Sequence, residues 1–158
     1  MLKLREGVLK MKIYIANDHT GVEMKNAIVK FLESEGHEAV NLGTDSAEAV
    51  NYAEYGKKIG LAVANDKGSF GIAICGTGIG ISIAANKVKG VIAGLVYEPQ
   101  NAAITRQHNN ANIMATGARQ IAVQKAVECV KSFINTPFEG GRHEARVNEL
   151  LGMEGETK

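Results

Sequence analysis

Short apolar, β-branched runs alternate with longer amphipathic stretches five times along this chain, and that alternation limits its possible folds more than any other feature. "KIYIA" is followed by "GVEMKNAIVKFLESEG", and "HEAVNLG" by "YAEYGKKIGLAVAND". "FGIAIC" leads into the glycine segment "GTGIG" and a helix, "GVIAGLVY" into "PQNAAITRQHN", and "ANIMATG" into "AVQKAVECVKSFI". After "PFEGG" breaks the last of these, a final helix is expected from Arg142 to about Leu151. Strands separated by helices imply a parallel sheet covered on both faces, and right-handed crossovers favour a doubly wound order. The expected architecture is therefore α/β, a three-layer, Rossmann-like open sheet of five parallel strands with helices on both faces. Ligands of such sheets bind beyond the carboxyl ends of the strands, near the point where strand order reverses. That singles out Asn17, Asp18 and His19; Gly43 and Thr44; Cys75 to Gly80; Tyr97 and Glu98; and Thr116 to Arg119.

At 158 residues and 45% apolar, the chain suits one domain. A single domain is expected over residues 11–158, with residues 1–10 an extension outside the fold. The 18 Lys+Arg nearly cancel the 17 Asp+Glu, so overall charge argues for neither nucleic acid nor membrane as partner, and any anion site must be local. No apolar run approaches the roughly 20 residues of a membrane span, and charges interrupt "MLKLREGVLK" where a signal peptide needs an apolar core. A cytoplasmic protein is expected. With only Cys75 and Cys129, a disulfide framework is not. Cys129, inside a helical pattern, reads as a small buried thiol.

"GTGIG" is not a P-loop, because the closing Lys-Ser/Thr is absent, and its third glycine comes one residue too early for the dinucleotide fingerprint. It does offer backbone N–H groups at a helix N-terminus, with Gly76, Gly78 and Gly80 leaving room for close approach by an oxyanion or phosphate. Cys75 shares that field, which favours a thiolate able to take a proton or attack carbon. Packing at the end of a buried strand is the competing role. "ANDHTG" sets Asp18 and His19 at the end of the first strand, either as helix capping or as an acid/base pair. His37, between the first helix and second strand, reads as a surface or capping residue. In "EGGRHEARV", Arg142 and Arg146 fall at i, i+4 with His143 alongside. Such like charges repel unless an anion joins them; a phosphomonoester explains the cluster better than a solvated face balanced by Glu139, Glu144 and Glu149.

With "NDHTG", "CGTGIGISIAANK", "RQHNNANI", "GAR" and "GGRHEARV" in this order, the chain resembles the type B ribose-5-phosphate isomerases from Met11 to about Leu151. The galactose-6-phosphate isomerase subunits are grouped with them. The resemblance implies an enzyme of carbohydrate metabolism in the pentose phosphate pathway, interconverting ribose 5-phosphate and ribulose 5-phosphate through an enediolate without metal or redox cofactor. It implies that Cys75 moves the carbon-bound proton and that Thr77 assists at the hydroxyls. Backbone N–H groups between Gly76 and Gly80, with Asn109, would hold the enediolate oxygen, and His108, aided by Asp18, would open the furanose. Phosphate would fall to His19, Arg119, Arg142, His143 and Arg146. The family builds each site from two subunits, so that His108 and the arginine cluster serve the neighbour's Cys75, which implies a homodimer or a tetramer made of two dimers. Asn51-Tyr52-Ala53 stands where the family usually has Asp-Tyr-Pro; Tyr52 can still line the sugar pocket, but loop shape and sugar preference are affected. A hexose 6-phosphate, of allose or galactose, is the alternative substrate. A nucleotide or sugar-phosphate binding module without chemistry is the other alternative reading.

Overall fold

The computed structural model describes residues 9–153, so most of the expected extension 1–10 and the last five residues lie outside the described residues. Five parallel strands, β1 (Lys12–Asn17), β2 (Glu38–Asn41), β3 (Phe70–Cys75), β4 (Ala93–Leu95) and β5 (Ile113–Gly117), form one sheet in the order β2-β1-β3-β5-β4. Six α-helices follow in turn: α1 (Val22–Ser34), α2 (Tyr52–Ala64), α3 (Ile79–Asn86), α4 (Pro99–Gln107), α5 (Val123–Asn135) and α6 (Arg142–Gly152).

That order dictates where the helices go. From β1 to β2 the chain steps one way across the sheet; from β2 to β3 and from β3 to β4 it steps the other way. Right-handed crossovers must then put α1 on one face and α2 and α3 on the opposite one. The core divides accordingly. Ile13, Ile15, Ile72 and Ile74 pack with Met24, Ile28 and Leu32 of α1, with Ala102 of α4, and with Cys129 and Phe133 of α5. Ala16, Ala73, Cys75, Ile113 and Ala115 pack with Ile59 and Val63 of α2 and Ile81 and Ala85 of α3. Cys75 thus belongs by its side chain to the α2/α3 face, at the tip of the central strand.

The expected fold class holds, with shorter edge strands. "GVIAGLVY" yields only Ala93–Leu95, and just before this strand the Asn112 side chain accepts the Ile92 N–H (2.9 Å). His37 is a correction: it is 2% exposed rather than superficial. Its Nδ1 accepts the Met11 N–H at 3.1 Å, where β1 begins. Burial pushes its pKa below the ordinary histidine value. A depressed folded pKa means the unfolded chain takes the proton more readily, so this contribution is present at neutral pH and is lost as pH falls below about 6.5. Urea unfolding midpoints at pH 7.5 and 5.5 are expected to drop on acidification, and to drop less in His37→Asn, which keeps an acceptor but cannot titrate. Equal losses in both proteins would remove His37 from the account.

Candidate active site

Strand order reverses between β1 and β3, and the two strands are tied just beyond their pairing by the Asp18 N–H donating to the Ile74 carbonyl (3.0 Å). Cys75 lies at this point, 4% exposed. Its Sγ accepts the Gly78 N–H at 3.1 Å, the hydrogen bond an anionic sulfur would use. Gly78 can present that N–H because it stands at φ +80°, a left-handed conformation, as the N-cap of α3. A side chain there would also drive a Cβ to 2.6 Å from the Thr116 carbonyl carbon. Thr77 is exposed; its Oγ1 accepts the Ile79 N–H (3.1 Å), capping α3.

Around this loop the structure gathers several of the expected residues. Tyr52 lies against Gly80, whose absent Cβ would otherwise meet the ring at 2.4 Å. Arg119, exposed, runs beside Gly76 and donates its backbone N–H to the Gly76 carbonyl (2.9 Å). His19 Nδ1 accepts the Val50 N–H (3.2 Å), holding the loop ahead of α2. Asp18 does cap the turn that follows it: Oδ1 accepts the Thr20 N–H (2.9 Å) and hydroxyl (2.6 Å). Asn51 caps α2 by accepting the Ala53 N–H at 2.9 Å. The departure at Asn51-Tyr52-Ala53 is therefore self-consistent, since a proline at 53 would have no N–H to offer.

The sequence reading gave Tyr97 no role, yet its hydroxyl donates to the Thr77 carbonyl at 2.5 Å and ties the glycine loop to the end of β4. Asn17, fully buried, donates to the carbonyls of Asp18 (2.9 Å) and Thr44 (3.0 Å). Lys25, also fully buried, donates to the Thr44 carbonyl (2.8 Å) and pairs with Asp45, whose pKa it holds below the usual carboxylate range. These contacts fix the loop after β2 beside the site. Glu98 pairs with Lys125 at 2.5 Å. Cys129 is inert: burial pushes its thiol up to about 11.

The remaining expected residues are elsewhere. α4 starts from the carboxyl ends of the strands and descends to the amino ends, so His108, its C-cap, and exposed Asn109 sit at the opposite edge of the sheet from Cys75. The Glu139 N–H donates to the Gln107 carbonyl (3.1 Å), which brings the segment before α6 to the same edge. Gly140 (φ +65°) and Gly141 (φ +53°) make the turn into α6. Arg142 and Arg146 are exposed, with no carboxylate partner among the described residues. His143, expected alongside them, instead turns inward with Val147. Its ring stacks on His108 with centroids 4.3 Å apart. Burial, then His108, Arg142 and Arg146, lower its pKa. Two half-sites result, one along each edge of the sheet. A six-residue strand such as β3 spans about 17 Å, too far for one small sugar phosphate to touch both edges of the same chain. Asp18 and Asn109 therefore cannot join His108 and the glycine loop, respectively, within one chain.

A family model described as Ribose/Galactose Isomerase matches residues 13–150. The chain is 41% identical over 143 residues to the ribose-5-phosphate isomerase B of Escherichia coli, a match covering 90% of this chain and 96% of that protein. The ribose-5-phosphate isomerase B of Mycoplasma genitalium, solved with bound ribulose-5-phosphate, superposes with a TM-score of 0.90 at 38% identity, covering 95% of this chain and all of that one. The corresponding structure from Clostridium thermocellum gives 0.88 at 41% identity, covering 90% and 97%. Among the described residues no helix is long and apolar enough to cross a membrane.

Proposed function

The chain belongs to the ribose/galactose isomerase family, and on that premise we propose that it interconverts ribose 5-phosphate and ribulose 5-phosphate, with Cys75 as the base. The observation that carries this reading is the Cys75 sulfur at the strand-order reversal, accepting an N–H at the N-terminus of α3. The thiolate takes the proton from C2 of the open-chain aldose, and the negative charge moves onto the carbonyl oxygen to give the enediolate. Backbone N–H groups between Gly76 and Gly80 stabilise that oxygen, as pre-aimed donors do for a developing oxyanion. Thr77 passes the hydroxyl proton between O2 and O1, and the thiol returns its proton to C1. The C2 hydrogen thus moves through sulfur, and no electrons leave the substrate.

The second half-site comes from another copy of the chain. His108 of that copy, paired with Asp18 of the first, opens the furanose ring, while Asn109 supports the enediolate. His19 and Arg119 from one side, and Arg142 and Arg146 from the other, hold the phosphate. The unpaired, exposed guanidinium groups at i, i+4 and the separation of the two edges support a homodimer, alone or paired into a tetramer. Residues 11–158 act as one domain in this scheme. Two free thiols fit a reducing compartment, which supports action in the cytoplasm.

Proton NMR in heavy water tests the chemistry. Ribose 5-phosphate is expected to acquire deuterium at C2 and to convert to ribulose 5-phosphate, faster than allose 6-phosphate or galactose 6-phosphate reacts. A preferred hexose would move the assignment to the six-carbon substrate, and the absence of both exchange and conversion with all of them would leave only binding.

A further inference from the structure

We propose that His108, Glu139 and His143 form a binding site for a divalent cation of the zinc class, and that the bound ion inhibits turnover by withdrawing His108 from ring opening. The inhibitory part rests on the role proposed for His108; the binding part does not.

The donor set is two imidazoles and a carboxylate, the mixture that a borderline ion such as Zn²⁺ prefers. One donor atom from each residue lies within 4.8 Å of the other two. His143 Nε2 supplies a separate observation: its side chain is only 8% exposed, and the atom has no hydrogen-bond partner. Glu139 Oε2 lies 3.5 Å from it, beyond a hydrogen bond but close to the about 3.4 Å separating two donors on a tetrahedral ion with bonds near 2.05 Å.

Binding requires one adjustment. His108 and His143 stack with planes 12° apart, and the lone pairs of parallel rings do not converge on one point. His108 must therefore turn out of the stack. Its ring makes no hydrogen bond among the described residues, so within the chain the turn breaks only the stacking contact. Glu139 is exposed and free to close the remaining gap. Arg142 and Arg146 are exposed on the same helix and supply none of the three donors.

Zn²⁺ titrated into the intact protein against a chromogenic chelator tests binding without reference to activity. One equivalent per protomer is expected, with Co²⁺ giving the visible absorption of a tetrahedral site and isomerase activity falling in step until EDTA restores it. Glu139→Gln is expected to keep basal activity and to weaken both binding and inhibition by at least about tenfold, since even partners outside the coordination sphere carry about 10- to 100-fold in affinity. Cys75→Ala is expected to bind Zn²⁺ like the wild type. No binding by wild type, unchanged affinity in Glu139→Gln, or loss of binding in Cys75→Ala would overturn the site. Binding that follows Glu139 while turnover is unaffected would overturn the inhibition. Binding in a protein that isomerises no sugar phosphate would support the site and strike the proposed function instead.

Discussion

Cys75→Ala is expected to lower kcat by about 10²- to 10⁴-fold, the range that a positioned general base contributes, while affinity for ribose 5-phosphate changes by no more than about threefold. The split follows from geometry. Among the described residues the sulfur's polar contact is the Gly78 N–H, whereas Arg119, the phosphate cation by this loop, lies beside Gly76 and not on the sulfur. Removing sulfur thus removes the proton carrier and leaves the anchor. Because Cys75 also packs with Ala73, Ile81 and Ala115, a loss of activity could reflect a loosened loop. Cys75→Ser separates the two effects: its hydroxyl can accept the Gly78 N–H and fill most of the space, but it is far too weak an acid to supply an anion at neutral pH. Serine is expected to be as inactive as alanine, by deuterium exchange at C2 and by single-turnover kinetics. Recovery of turnover with serine, or an alanine variant within about tenfold of wild type, would make Cys75 a packing residue.

Much of this site was legible because the motif order and the strand–helix alternation agree. Every expected residue that immediately follows β1, β3 or β5 lies where a parallel sheet must deliver it. The half-sites were legible too, in principle. A residue after α4 and before β5 has to lie at the amino ends of the strands, so His108 could not share an edge with Cys75 in its own chain. The resemblance implied sites built from two subunits, and topology independently keeps His108 and Cys75 of one chain apart. His143 was placed with Arg142 and Arg146 by charge, whereas its four-residue spacing from Val147 marks it as inward-facing. Tyr97 had no such signal: a hydroxyl bonded to the Thr77 carbonyl depends on how the end of β4 sits against the glycine loop. The buried His37 was hidden for the same reason, since its hydrogen-bond partner is distant in sequence.

Two inactive variants should restore each other. In the shared-site arrangement, a Cys75→Ala chain spoils the half-site at its own carboxyl edge, and a His108→Asn chain spoils the half-site it lends to its neighbour. A heterodimer of the two then carries both lesions in one site and none in the other. Random pairing of equal amounts makes half of the dimers hybrid, so activity should return to roughly a quarter of the wild-type level, from parents each reduced by about 10²- to 10⁴-fold. The converse mixture discriminates further. Wild type mixed equally with a Cys75→Ala/His108→Asn double variant has one lesion in each site of every hybrid, leaving only wild-type dimers active, again roughly a quarter. If instead each chain built its whole site alone, the first mixture would recover nothing and the second would retain roughly half. Native mass spectrometry of the mixtures establishes that hybrids form. With hybrids present, the pattern of none and half would refute a site shared between chains, and with it the proposed pairing of one chain's Cys75 with the other's His108.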